Sequence, residues 1–414
     1  MRVAVVGAGV SGLVVAHLLH RTHDVTVFEA NDYAGGHTNT VRVDTPNETH
    51  HVDTGFIVFN DRNYPNFQRL LDRLGVGSQR STMSFSVSDG LGDFEYSSAS
   101  PSGLFAKRSH LLTPSFHRMV ADLARFSRAG RELLDDRDED VSLGHWLERH
   151  RFSRAFIERL IVPQASAVWS AAPRQMWSFP ARFLVEFFDN HGMLSFRDRP
   201  RWRTVSGGSA RYVEALIAPF SARVRLRSPV DAVTRHADHV LVKPRGGQAE
   251  RFDEVVLATH SDQSLALLRD ASDREHEILG AIPYQANEAV LHTDVRLLPR
   301  RRRAWASWNY HLLPEPKGMT TVTYHMNRLQ SLAAEREFCV TLNRTEAIDP
   351  AHTIRTIPYS HPVFTAAGVE AQGRVDEIDG HNRTHFCGAY WGWGFHEDGV
   401  VSALRVGERF GARL

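Results

Sequence analysis

The 414-residue sequence is short of cysteine, of lysine and of long apolar runs, and each scarcity removes a class of protein. Two cysteines, Cys339 and Cys387, are too few for a disulfide framework and fit a reducing compartment. No run of about eighteen apolar residues occurs, which leaves no candidate spanning helix. Gly7, Gly9 and Gly12 interrupt the apolar stretch after Arg2 where a secretory signal would be continuous, so a cytoplasmic location is expected. Neither sign of charge is in excess, with 49 basic against 48 acidic residues, and nothing chain-wide would attract nucleic acid. His17, His20 and His23, spaced by three, lack a cysteine or acidic partner at ligand spacing, as does His50-His51. No metal is expected.

What is present suits a packed globular chain of two or three domain-sized units: 42% of residues are hydrophobic and 10% aromatic. Residues Arg2 to Val6 form a β-type run, Ser11 to His20 show helical spacing, and Asp24 to Phe28 alternate again. Thr49 to Phe59 is extended, and Tyr64 to Leu74 places Phe67, Leu70, Leu71 and Leu74 on one helical face. His110 to Asp140, Leu143 to Val162 and Pro180 to His191 predict helices. Hairpins are expected from Val224 to Leu257, with a turn at Gly246-Gly247. Ala304 to Leu312 and Thr320 to Met326 read as extended, and Val400 to Arg413 as a closing helix.

Gly7-Ala8-Gly9-Val10-Ser11-Gly12 follows the first strand and opens the first helix. Glycines there let the backbone turn and approach a pyrophosphate, while free N–H groups at the helix start favour its charge. Glu29 ends the second strand, where a carboxylate accepts hydrogen bonds from ribose hydroxyls. The glycine doublet Gly35-Gly36 permits a second close approach to the same ligand.

With this doublet the chain resembles the flavin-dependent amine oxidase-like superfamily. Further marks in the same order are Val52-Asp53-Thr54-Gly55-Phe56, Val205-Ser206-Gly207-Gly208-Ser209, Phe252 to His260, and Phe386-Cys387-Gly388. The resemblance implies an α/β fold: a Rossmann-like FAD-binding domain, discontinuous over 1–75, 200–262 and 375–414, with an interleaved α+β substrate or cap domain over 76–199 and 263–374. It implies FAD contacts from Gly7, Gly9, Val10, Ser11, Gly12, Glu29, Ala30, Gly35, Gly36, His37, Thr38, Thr54, Gly55, Phe56, Val230, Ala258, Thr259, Gly388, Trp393, Gly399 and Val400. The segment Trp391 to Gly399, WGWGFHEDG, would lie against the flavin ring, with Trp391 or Trp393 walling the cavity. A helix beginning near Asp398 would aim the N–H of Gly399 or Val400 at the pyrimidine edge. Glu397 and Asp398 read more simply as helix caps.

Departures from the family narrow the function. His37 stands where many members carry arginine. Cys387 does not align with a flavin-linking cysteine, so noncovalent FAD is expected. Amine-oxidising members keep a lysine near the flavin, yet the only lysines are Lys107, Lys243 and Lys317, the last in a turn. No second dinucleotide motif follows, which leaves the electron donor or acceptor open. Phe179, Phe183, Phe187, Phe188, Phe196, Trp202, Trp305, Trp308, Tyr310 and Tyr324 would line an apolar cavity if they face inward, or pack as ordinary core. Similarity to fatty-acid isomerases and lipid desaturases implies hydride transfer with an unsaturated acyl chain or phospholipid. Amine oxidation, or service as a flavoprotein partner to another lipid-modifying enzyme, are the alternatives. Tyr310, His311 and His396 are the titratable catalytic candidates. Arg300 to Arg303 and the Lys107-to-Arg131 segment offer basic surface, read either as peripheral contact with anionic lipid at the inner membrane face or as a solvated face.

Overall fold

The computed structural model describes residues 1–136, 141–195, 199–314 and 318–414; Phe196 and Lys317, singled out above, lie outside them. Strands from distant parts of the chain make one parallel sheet, in the spatial order Val224–Arg225, Asp24–Phe28, Arg2–Val6, Glu254–Leu257, Thr384–Phe386. Its central residues Val3 to Val5 and Val255 to Leu257 are fully buried because both faces are covered. Helices Val10–Leu19 and His396–Arg409 lie on one side, and an antiparallel sheet of Val230–Arg235, Val240–Pro244 and Glu250–Phe252 lies on the other.

The two helices touch through glycine. A Cβ at Gly399 would stand 2.7 Å from Val10 Cγ1, and one at Gly407 would stand 2.7 Å from Leu18 Cδ1. The closing helix starts at His396, earlier than the sequence pattern suggests, because Phe395 is its cap and Asp398 accepts the Phe395 N–H at 2.8 Å. Glu397 caps a different helix: its carboxylate accepts from Asn66 N and Nδ2 and from Phe67 N, at the start of Pro65–Leu74. Both acids of WGWGFHEDG are therefore structural.

The arginine-rich middle forms a helical layer, broken where the spacing predicts continuity. Pro114 starts the long helix Pro114–Asp135, and Leu143–Arg149 stops before Arg151, whose φ is +52°. Ser153 then caps a renewed helical run that reaches Trp169. With Ala181–Asn190 these segments bury one core containing Phe126, Trp146, Phe156, Leu184 and Phe188. Beside it stands a seven-stranded mixed sheet in the order Thr353–Pro362, Tyr284–His292, Cys339–Leu342, Val322–His325, Trp308–His311, Phe85–Ser88, Glu95–Ser97.

Asp53 ties the layers together. Its fully buried carboxylate accepts from Thr40 Oγ1 at 2.5 Å and from Ser209 N, Ser209 Oγ and Gln330 Nε2, each at 2.9 Å. Two motif segments and a residue of Ser264-to-Arg374 chain thus meet at one side chain. Asp53→Ala leaves those donors buried without an acceptor, and a stability loss of about 3 kcal/mol or more is expected, against a smaller loss for Asp53→Asn. Urea titration reads it as a lowered midpoint with an unchanged slope.

Candidate active site

A cavity of about 1100 Å³ opens at the carboxyl ends of the parallel strands, where Val6, Phe28, Ala258 and Gly388 line it. Three glycines of the first turn do different jobs. Gly7, at φ +102°, passes so close to the next strand that a Cβ would stand 2.7 Å from the Ala258 carbonyl oxygen. At Gly12 a Cβ would meet the Gly7 oxygen at 2.0 Å, so this glycine seats the helix on the turn. Gly9 has nothing within 4 Å of its Cβ position and faces the cavity. Gly36 then brings the second loop against the first, its Cβ position 3.2 Å from Gly9 Cα.

Glu29 Oε2 accepts from Ala8 N at 2.8 Å, and Oε1 accepts from Asn31 N at 2.8 Å and Asn31 Nδ2 at 2.9 Å. These bonds fix a carboxylate at the cavity edge. His37 follows the doublet, and its ring stacks on Tyr359 at 4.8 Å, with His361 at 5.2 Å and His260 at 6.2 Å. Burial first, then the neighbouring imidazoles, hold His37 well below the usual histidine range. Its Nε2 is buried without a hydrogen-bond partner. The open flank of Gly9, the anchored Glu29 and the orphaned His37 nitrogen on one wall fit an extended dinucleotide with a diphosphate at the helix start.

A family model described as flavin containing amine oxidoreductase matches residues 10–305. The chain belongs to that family. Its cofactor is FAD, and the family is one of oxidoreductases. A curated relative from Mycobacterium tuberculosis, named provisionally as the flavin-containing monoamine oxidase AofH, is 28% identical over 264 residues, 60% of this chain and 54% of its own. The chain thus spans about half the length of the curated relatives it matches. Cyclohexylamine oxidase from Brevibacterium oxydans superposes with a TM-score of 0.71 at 16% identity, covering 99% of both chains. A CLA-producing fatty acid isomerase from P. acnes superposes at 0.67 with 17% identity, covering 99% of this chain and 98% of its own. Both show a shared fold.

Of the FAD contacts expected from sequence, the cavity is lined by all but Gly12, Thr38, Gly399 and Val400. The reason differs for each. Gly12 and Gly399 are packing glycines, and the Gly399 N–H is spent on the Phe395 carbonyl at 3.1 Å rather than aimed outward. Val400 is fully buried in the core between the two helices. Thr38 Oγ1 pairs with Tyr212 OH at 2.6 Å and His396 Nε2 at 2.9 Å. Trp393 lines the cavity, while Trp391 packs outside it under the Arg405 guanidinium. Gly392 leaves room for the Asp398 cap, and Gly394, at φ +89°, lets the chain pass Phe364. Cys387 is buried and does not line the cavity, so no thiol stands at the ligand wall.

The three catalytic candidates do not converge. Tyr310 packs into the helical core near Ser166, and burial raises its hydroxyl. His311 lies between strands, bonded to Thr323 Oγ1 at 2.9 Å and to Arg344, and burial pushes it down to about 3. Neither lines the cavity. His396 reaches the edge, but Thr38 and Tyr212 occupy its Nε2 and Phe56 covers its ring, and burial holds it near 3. Of the nine described aromatics among the candidates for an apolar cavity wall, only Trp308 and Tyr324 line it; Phe179, Phe183, Phe187 and Phe188 are helical-layer core.

Two residues outside the expected set take their place. Asn287 Oδ1 accepts from Asn343 Nδ2 at 2.7 Å, which orients the amide so that Asn287 Nδ2 donates to His361 Nδ1 at 2.9 Å. A neutral His361 then carries its proton on Nε2. Burial and His260 hold it down at about 4, and both it and Asn287 line the cavity. The signal was present in alternation: Ile357, Tyr359 and His361 share one face of the strand Thr353–Pro362.

Proposed function

We propose that this family member is an FAD-dependent oxidoreductase acting on an apolar substrate, an unsaturated fatty acyl chain or phospholipid. The observation that carries the reading is the wall formed by Ile57, Val168, Trp169, Trp308, Leu342 and Phe364. It is aliphatic and aromatic, and among the described residues the only acids lining the cavity are Glu29 and Asp32, which flank the first two glycine loops. No lysine lines it. Such a wall binds hydrocarbon by burial and gives a polyamine no carboxylate to neutralise. FAD, when bound, supplies hydride exchange at N5. The chain's part is to exclude water with its aromatic wall and to hold a proton on His361 Nε2 through Asn287. An isomerisation, in which hydride and proton return to the same molecule, needs no outside acceptor.

A second reading, amine oxidation, is favoured by the aromatic faces of Trp169, Trp308, Tyr324 and Trp393, which suit a small ammonium by cation–π attraction. Anaerobic mixing of the holoprotein with cis-unsaturated fatty acids separates the two. Loss of the flavin absorbance, or a moved or newly formed double bond in recovered lipid by mass spectrometry, supports the acyl reading. Unchanged lipid together with peroxide released from amines in air overturns it.

A further inference from the structure

One pole of the molecule gathers exposed leucines and several arginines without a carboxylate partner. The turn between strands Phe85–Ser88 and Glu95–Ser97 is built on Asp89, whose carboxylate accepts the N–H groups of Leu91, Gly92, Asp93 and Phe94. That rigid turn presents Leu91 with 59% of its surface exposed. Arg301 Nη1 donates to the Gly92 carbonyl on one side of it, and Lys107 Nζ donates to the Asp93 carbonyl on the other. Lys107 leads into the short helix Arg108–Leu112, which ends on Leu111 and Leu112, the latter 88% exposed. Among the described residues, Arg108, Arg300, Arg302 and Arg303 form no ion pair with a carboxylate.

A small cavity of about 150 Å³ sits at the same pole, lined by Asp93, Lys107, His110, Ser115 and Arg159. His110 is 4% exposed, and its Nδ1 has no hydrogen-bond partner.

We propose that this pole docks on an anionic phospholipid surface, Leu91, Leu111 and Leu112 entering the headgroup boundary while Arg108, Arg300, Arg302 and Arg303 meet lipid phosphates. Exposed leucines set in a cationic ring favour a bilayer over nucleic acid, which would gain nothing from hydrocarbon. Each arginine near such a surface strengthens partitioning about 5-fold. The docking depends neither on FAD nor on the substrate reading.

The test is cosedimentation of the flavin-loaded protein with vesicles of phosphatidylcholine alone or mixed with phosphatidylglycerol. Expected are binding to the mixed vesicles only, release by salt, and a loss of more than about 100-fold in the triple variant Arg300→Gln, Arg302→Gln, Arg303→Gln. The double variant Leu111→Ser, Leu112→Ser should lose binding while keeping its melting temperature and flavin content. No binding to the mixed vesicles overturns the proposal. So do full retention by either variant, competition by inorganic phosphate equal to that by anionic vesicles, and DNA binding that ignores the leucine changes.

Discussion

Gly9→Val yields a folded protein that does not retain FAD. Gly9 has φ −74° and ψ −179°, backbone that valine adopts without strain, and its Cβ position has no neighbour within 4 Å. The added isopropyl group therefore costs the fold little. It projects instead into open space at the cavity that Gly9 lines, where the diphosphate is expected to approach the main chain. Purified Gly9→Val should be colourless, with flavin affinity reduced by about 1000-fold or more and an apoprotein melting temperature within a few degrees of the parent. Gly12→Val is the contrast: its Cβ would lie 2.0 Å from the Gly7 oxygen, so this variant should fail to accumulate as folded protein. Flavin retention by Gly9→Val would refute the assignment of this loop to the cofactor.

Acid should unfold the protein well above the pH at which ordinary carboxylates titrate. Burial lowers His191 and His292 to about 4 and His311 and His396 to about 3. A depressed folded value means that the unfolded chain binds protons first, so stability is lost as pH falls from about 6.5 toward 4. Each group contributes about 1.4 kcal/mol per pH unit in that window. Two groups act in the opposite direction. Burial raises Asp53 and Asp398 to about 7, so their contribution grows as pH falls from 7 to 4. Burial holds His110 and His361 at about 4 and His37 well below the usual range as well, so the depressed histidines outnumber the two carboxyls by more than two and the net loss exceeds about 3 kcal/mol per unit, a large share of a typical stability of about 5–15 kcal/mol. Thermal melts should show a maximum near pH 6.5 and a steep fall by pH 5. Replacing His396 with Gln, which can still bond Thr38 and Tyr212, should flatten the slope by one proton. A melting temperature constant from pH 7 to 5 would sink the account.

Much of the fold and half of the site were legible in the residues themselves. The first strand, helix and second strand, the hairpins after Val224 and the turn at Gly246 follow from local pattern, because each element carries its own periodicity and punctuation. The long middle helices were harder. Arg151 takes a left-handed conformation that no local signal announces, so one expected helix became two. The aromatic residues were ambiguous for a related reason. A phenylalanine on an apolar face reads the same whether that face meets a cavity or another helix, and Phe183 and Phe187 meet Phe364, Trp169 and Phe395.

The sequence by itself determined the cofactor and pointed to the loops that line the cavity, because glycines and a carboxylate at fixed intervals act through main chain that neighbours in sequence already define. Only the tertiary structure decided which side chains face the reacting space. His37, His260 and His361 come from three separate loops and strands, and Asn287 and Asn343 from two more, so their meeting depends on how the sheets stack. Long-range packing sets that arrangement, and a linear pattern carries no record of it.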